Sequence, residues 1–391
     1  MRKKIALVNQ RYGLEVNGGS ELHCRQLAEK LSEIYDVEVI TTCALDYVTW
    51  ANYYKEGTEI INGVTVRRFK VERERETESF NRFSDKVLIG KHSDDEEEQW
   101  IDMQGPFCPA AVSYISEHHS DYAVVIFMTY LYYITARGMA LNLDNAFLLP
   151  TAHDEPPVYL RYYKRVFENA KSLIYLTEEE KCFVEKQFNV EGIANVITGS
   201  GVDVPDQTLI NRCKFSNLPQ NYVFYVGRID ESKGCGLLFD YFLKYKSRAK
   251  SELKLVLAGK SVMNIPLDKD IIHMGFVNDE EKFYLYQHSR ALVLASEFES
   301  LSMVVLESMA CSKPVLLNGT CSVLKGHCEK SGAGLYFENY YEFETALDFL
   351  LTHKRAYEDM CENGKRYVEE NYRWNVIISK ICELIGYPDE K

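Results

Sequence analysis

The sequence predicts an α/β protein built from two doubly wound domains. Three observations carry this reading. Short apolar strands alternate with amphipathic helices from Lys4 onward, the pattern with which such domains begin. The alternation starts afresh at Tyr222–Val226, after a polar stretch from Thr198 to Asn221 punctuated by Gly199, Gly201, Pro205 and Pro219. At 391 residues the chain is long enough for two domains of ordinary size. The expected division is therefore 1–205 and 206–373, followed by a C-terminal helix over about 374–391.

The first domain opens with a strand over Lys4–Asn9 and a loop from Gln10 to Gly19. A helix from about Glu21 to Ser32 follows, with Leu22, Leu27, Ala28 and Leu31 as its apolar stripe. Val37–Thr42 is the next strand. The loop is not G-x-G-x-x-G, which disfavours a nicotinamide-dependent oxidoreductase. Its Gly18-Gly19 pair fits either a close approach of backbone amides to a phosphate or a plain tight turn. Asn62-Gly63 is a turn before a strand over Val64–Phe69. Residues 72–99 are strongly charged, with an acidic run at Asp94–Glu98, and read as a solvated excursion or an acceptor-side loop. Gly105-Pro106 breaks the chain before a helix reaching about His119, and Ala123–Phe127 and Phe147–Leu149 are strands.

The loop Pro150–Pro157 follows a strand and so lies at a carboxyl edge. His153 within it can titrate near neutral pH and bond a sugar hydroxyl, although a lone loop histidine is more often structural than catalytic. Neighbouring Asp154 should point away from it in an extended segment. A helix over about Val158–Ala170, a strand over Ser172–Leu176, a helix from Glu178 and a strand over Ala194–Ile197 complete the domain.

In the second domain, Tyr222–Val226 runs into Gly227-Arg228-Ile229-Asp230-Glu231-Ser232-Lys233-Gly234. Arg228 and Lys233 either converge on a diphosphate, one as a planar fork and one as a point charge, or pair with Asp230 and Glu231. Strands follow over Leu253–Ala258, Ile271–Met274 and Ala291–Leu294. The stretch Ser296–Asn318, SEFESLSMVVLESMACSKPVLLN, is the centre of the chain. It reads as loop, helix and strand, with Met303, Leu306, Met309 and Ala310 on one helical face. Ser302 is placed to cap that helix through its side chain. A helix N-terminus at the carboxyl edge of a sheet attracts phosphates, and Glu299 and Glu307 flank it. Asp268-Lys269-Asp270 matches a metal-binding D-x-D, but it precedes a strand instead of following one, so no metal is expected there.

Glu299-x7-Glu307, followed by Ser308-Met309-Ala310-Cys311 and Lys313-Pro314-Val315, resembles the donor-site motif of retaining GT-B glycosyltransferases of family 4 (glycosyl transferases group 1). The family form is E-G-F-G-L-x-x-L-E-A-M-A-x-G-x-P-V. Ser300, Ser302 and Ser312 stand here for its glycines, and Leu301 for its phenylalanine. Gly227-Arg228 with Lys233-Gly234 resembles the family's G-R-x-x-x-x-K-G. The resemblance implies two facing Rossmann-like domains with a cleft between them, and a last helix that crosses back to the first domain. It implies transfer of a sugar from a nucleotide sugar to an acceptor hydroxyl, with retention. Glu299 would bond sugar hydroxyls and Glu307 the ribose. Arg228 and Lys233 would hold the diphosphate beside Gly227, Ser302 and Met303, with Gly18 and Gly19 opposite. Phe276 and Val277 lie in the segment that reads the nucleobase, and His153 would face the donor sugar. A nucleotide-sugar epimerase of the same fold, and a non-catalytic partner subunit with its site impaired by the glycine-to-serine changes, are the other readings.

Bulk properties narrow the partners. A net charge of −13 argues against nucleic acid. Eleven cysteines without a C-x-x-C pair read as reduced thiols, hence the cytosol. The apolar core of MRKKIALVNQR is too short for a signal peptide, and the uncharged stretch Tyr122–Ala136 falls short of a bilayer span. The expected partners are a nucleotide sugar and a carbohydrate or glycolipid acceptor, with room for peripheral association at the inner face of a membrane. No cofactor or metal is expected.

Overall fold

The computed structural model describes residues 2–16, 18–215 and 218–387. Asn17 of the first glycine loop, 216–217 of the expected linker and 388–391 of the expected last helix lie outside the described residues. The chain divides into two compact units. One comprises Met1–Ser200 with Ile377–Lys391, and the other Gly201–Val376.

The first unit contains strands β1 (Lys4–Val8), β2 (Asp36–Thr42), β3 (Gly57–Ile61), β4 (Val64–Phe69), β5 (Val124–Met128), β6 (Ala146–Leu149), β7 (Ser172–Tyr175) and β8 (Ala194–Ile197). They form one sheet in the order β3-β4-β2-β1-β5-β6-β7-β8. Ile5–Val8 and all of β5 are buried, because a parallel sheet covered on both faces needs unbroken apolar runs. Only β3 runs antiparallel, joined to β4 by a tight turn at Asn62 and Gly63 with φ of 49° and 83°. This edge strand has no counterpart in the sequence reading. Its residues are exposed and carry no apolar alternation.

Two expectations need correction. Residues 72–99 are not a solvated excursion. They fold into helices Thr77–Ile89 and Asp94–Gln104, which bury Val87, Trp100 and Ile101. The acidic run starts the second of these, where negative charge suits a helix N-terminus, and Ser93 with Glu96 makes a capping box. The single helix expected over Val158–Ala170 is two pieces, a 3-10 turn at Pro156–Tyr159 and a helix at Tyr162–Glu168. Leu160 between them is extended, and the Tyr162 N–H donates to the buried Glu97 carboxylate at 2.7 Å.

The second unit contains β9 (Tyr222–Val226), β10 (Lys254–Ala258), β11 (Ile271–His273), β12 (Leu292–Leu294), β13 (Val315–Asn318) and β14 (Gly334–Phe337). The order is β11-β10-β9-β12-β13-β14, all parallel. This is a Rossmann order, and it reverses between β9 and β12. Ligands of such sheets bind outside the strands' carboxyl ends at that reversal. Helices Tyr340–Thr352, Lys354–Asn371 and Trp374–Ile385 end the chain. From Ile377 the last helix counts with the first unit, where Ile377, Ile381 and Cys382 are fully buried. Beyond it, the Tyr35 hydroxyl and Lys3 Nζ both donate to the Gly386 carbonyl at 3.2 Å.

Candidate functional site

The loop after β9 and the loop after β12 meet at the reversal in the second unit. Gly234 makes the meeting close. It has φ of 67°, and a Cβ on it would lie 2.1 Å from the Ala295 carbonyl oxygen, so both conformation and space call for glycine. Gly227, at the start of the same loop, has φ of 147°. Asp230 organises the loop. Its carboxylate accepts from the Lys233 N–H at 2.9 Å, the Ser232 hydroxyl at 2.8 Å and the Arg228 guanidinium. Burial alone would raise this carboxyl, but the Ser232 bond and Arg228 outweigh it and hold Asp230 below the usual range. Lys233 reaches across to the β12 loop, where Nζ lies 2.8 Å from Glu299 Oε1. The structure therefore brings Arg228, Lys233 and Glu299 to one edge. Arg228 takes the local partner Asp230, while Lys233 takes Glu299 and not Glu231.

Helix Met303–Ala310 starts two residues beyond Leu301 of that loop. Ser302 holds the cap position, but the expected side-chain cap bond is absent. Its backbone is left-handed, with φ of 64°, and its Oγ is buried without a hydrogen-bond partner. A capping side chain needs an extended backbone to turn its oxygen toward the first-turn N–H groups. Ser312 is also left-handed, with φ of 56°. Both serines stand where the motif carries glycine, and the positive φ is the physical reason for that glycine. Ser300 is not among the positive-φ residues.

Glu307 is buried in the same helix. It accepts from Lys282 Nζ at 2.7 Å and from the Tyr286 hydroxyl at 3.0 Å, both on helix Asp279–His288. Burial pulls the Lys282 ammonium down, but Glu307 and Asp279 more than offset this and hold it above its ordinary value. Asn278 and Glu281 form the capping box of that helix. Directly before it, the Phe276 ring is exposed and Val277 is half-buried. The nucleobase segment and the ribose candidate are thus linked through one helix. Lys282 and Tyr286 were missed by the sequence reading. They lie 25 and 21 positions from Glu307, with no local pattern to mark them.

In the first unit, Gly18 caps helix Gly19–Leu31 in an extended conformation. A Cβ on Gly18 would lie 1.9 Å from Glu21 Oε2, whereas Gly19 faces open space. Of the two glycines, only Gly18 is required by space. Glu21 is committed to Gln10 Nε2 at 2.9 Å and to the Arg11 guanidinium. His153 sits after β6, with its Nε2 3.5 Å from Glu155 Oε2. Asp154 is turned away and accepts from the Tyr159 hydroxyl at 2.6 Å. The loop is fixed from below by Glu180, whose carboxyl accepts from the N–H groups of Ala152 at 2.7 Å and Leu176 at 2.6 Å. Burial pushes Glu180 up to about 8 despite these bonds.

The D-x-D segment is spoken for. Asp270 pairs with Lys246 at 3.2 Å and with Lys254, and Asp268 accepts from the Asp270 N–H at 2.8 Å. These contacts anchor the entrance of β11.

The fold is that of the GT-B glycosyltransferases. Residues 206–367 match the model of the family glycosyl transferases group 1. Over its whole length the chain is 24% identical to an uncharacterized glycosyltransferase of Methanocaldococcus jannaschii, covering 97% of each. Among solved structures, sucrose-phosphate synthase from Thermosynechococcus elongatus superposes with a TM-score of 0.72 at 16% identity, covering 98% of both chains. HepE from Anabaena, solved with UDP and glucose, gives 0.68 at 13% identity, covering 98% of this chain and 99% of the other. Among the described residues no helix is long and apolar enough to cross a membrane.

Proposed function

We propose that the protein transfers a glycosyl group from a nucleotide sugar to an acceptor hydroxyl, with retention at the anomeric carbon and without a metal. The observation that carries this reading is the Lys233–Glu299 pair at the sheet reversal, a cation and a carboxylate 2.8 Å apart beside a helix N-terminus. The C1–O bond to the diphosphate breaks with its electron pair on the leaving oxygen. Lys233, Arg228 and the first-turn N–H groups after Ser302 supply the positive field for that charge. Glu299 accepts from sugar hydroxyls. Glu307 accepts from the ribose with the oxygen lone pairs that Lys282 and Tyr286 leave over. Phe276 and Val277 border the base, Gly19 approaches the diphosphate, and His153 acts on the donor sugar. Attack from the face the leaving group vacates gives retention and needs no protein nucleophile. The acceptor proton passes to the departing phosphate oxygen.

The UDP and glucose bound to HepE support a nucleotide-sugar donor. A carbohydrate or glycolipid acceptor and a cytosolic setting complete the reading. The test is a thermal-shift screen of nucleotides and nucleotide sugars, followed by turnover with the stabilising donor. An α-configured donor should give an α-linked product by NMR, and activity should survive excess chelator. A β-linked product overturns retention. Activity lost to chelator and restored by manganese overturns the metal-free route. Donor isomerised without an acceptor would make the protein an epimerase.

A further inference from the structure

His153 is the one residue of the first unit assigned above to the donor sugar, and a bare histidine on a loop is a poor catalyst. It needs a fixed ring orientation and a fixed tautomer, both usually set by a hydrogen-bonding neighbour. Glu155 supplies the means. The Glu155 N–H donates to the His153 carbonyl at 2.8 Å, a tight turn that returns the two side chains to the same side. Glu155 Oε2 then lies 3.5 Å from His153 Nε2. Its other oxygen, Oε1, accepts from the Tyr130 hydroxyl at 2.7 Å.

Tyr130 is a rigid anchor. It is 1% exposed, and its ring packs edge-on against Tyr163 and tilted against Phe167. Its backbone is tied to the same loop, because the Tyr130 N–H donates to the Pro150 carbonyl at 3.0 Å. Thr129 and Thr151, at the ends of adjacent strands β5 and β6, are both left-handed, with φ of 64° and 53°. Such backbone persists only where surrounding contacts over-determine it, and it clusters at functional sites. The Glu155 carboxylate is not spent on the turn it precedes, since it makes no cap bond to Pro156–Tyr159. Its one strong bond goes inward to Tyr130, and its free oxygen faces the imidazole. Burial falls off outward, from Tyr130 to side chains 21% and 27% exposed at Glu155 and His153. Part of the His153 side chain stays exposed, with its Nδ1 buried, while the anchor stays dry.

We propose that Glu155, held by the Tyr130 hydroxyl, is the positioning residue for His153 in sugar transfer. This rests on the reading that His153 acts on the donor sugar. The carboxylate fixes the orientation of the ring. Asp154 is occupied by Tyr159, and Glu180 bonds the backbone at Ala152, so Glu155 is the carboxylate of this loop set against the ring.

The experiment compares Glu155→Gln, Tyr130→Phe and His153→Ala with the wild type. It uses donor turnover, nucleoside-diphosphate affinity and the ¹⁵N NMR spectrum of the His153 ring in the full chain. Glu155→Gln should lower kcat about 10-fold or more. It should leave diphosphate affinity within twofold and move the ¹⁵N resonances of the His153 ring. Tyr130→Phe, which keeps the packed ring, should move both readouts the same way to a smaller extent. It decides the matter if Glu155→Gln does not fold. Wild-type kcat and unmoved His153 ring resonances in both variants overturn the role of Glu155, provided His153→Ala is itself slow. A His153→Ala enzyme with full turnover overturns the role of His153 instead, and the two failures are thereby separate.

Discussion

Ser302 and Ser312 show how much a single position can report. Both are left-handed, which costs a non-glycine residue about 1–2 kcal/mol, while glycine there costs about 0.5–1 kcal/mol in chain entropy. Ser312→Gly should therefore stabilise the fold by about 0.5–1 kcal/mol, measured by urea unfolding. Ser302→Gly should do at least as well, because it also removes a buried hydroxyl without a partner. A loss of stability in both would show that the serines relieve the backbone in some other way. At this scale the sequence was only partly legible. The motif located Glu299, Glu307, Arg228 and Lys233, but not their partners. Lys282 changes what a Glu307 experiment means. Glu307→Ala strands a buried ammonium and should cost about 3 kcal/mol of stability. Glu307→Gln keeps an acceptor for Lys282 and is the cleaner probe. It should weaken nucleoside-diphosphate binding by about 1–3 kcal/mol in calorimetry, and unchanged affinity would remove Glu307 from the ribose.

Elements were legible where periodicity and turn chemistry agreed. Helix Trp374–Ile385, the Asn62-Gly63 turn and the buried strands follow from the sequence. The charged segment at 72–99 did not, because its acids include the start of a helix and the buried Glu97, while the burial of its two helices rests on a few residues, Val87, Trp100 and Ile101. Helix Glu178–Gln187 hides a similar case in its first turn. Among the described residues Glu180 has no ion-pair partner, and its carboxyl is pushed by burial up to about 8, above the usual carboxylate range. A raised folded-state value means that the native protein binds this proton more tightly than the unfolded chain. Its contribution is full at low pH and is lost as pH rises from about 4.5 to about 8. Glu180→Gln removes the titration. Relative to the wild type, the variant should gain several kcal/mol between pH 5 and pH 9, read from unfolding at both. A constant difference across that range would mean that Glu180 does not titrate there.

At the scale of the molecule, the function proposed above would divide the work between the two Rossmann-like units by what each sheet edge presents. The second unit places cations, a helix N-terminus and Glu307 around the reversal between β9 and β12, a set suited to a nucleoside diphosphate. The first unit presents Gly19 and the braced His153 loop, a set suited to hydroxyls and to proton chemistry. The placement of these motifs was readable from the sequence because each follows a strand, and strand ends in parallel sheets gather at one edge. What holds the motifs in place was not readable, since Tyr130 and Glu180 lie 25 and 28 positions from the loop residues they anchor. The division predicts opposite kinetic signatures. Lys233→Ala should weaken diphosphate affinity and lower kcat by about 10²-fold, because the charge acts on the leaving group. His153→Ala should leave diphosphate affinity nearly intact and lower kcat by about 10²- to 10⁴-fold, because a group that meets only the reacting sugar matters more in the transition state than in the ground state. Calorimetry with the diphosphate and turnover with the true donor separate the two. Equal losses of affinity in both variants would show that the first unit also binds the nucleotide, and the assignment of His153 to the sugar would fall.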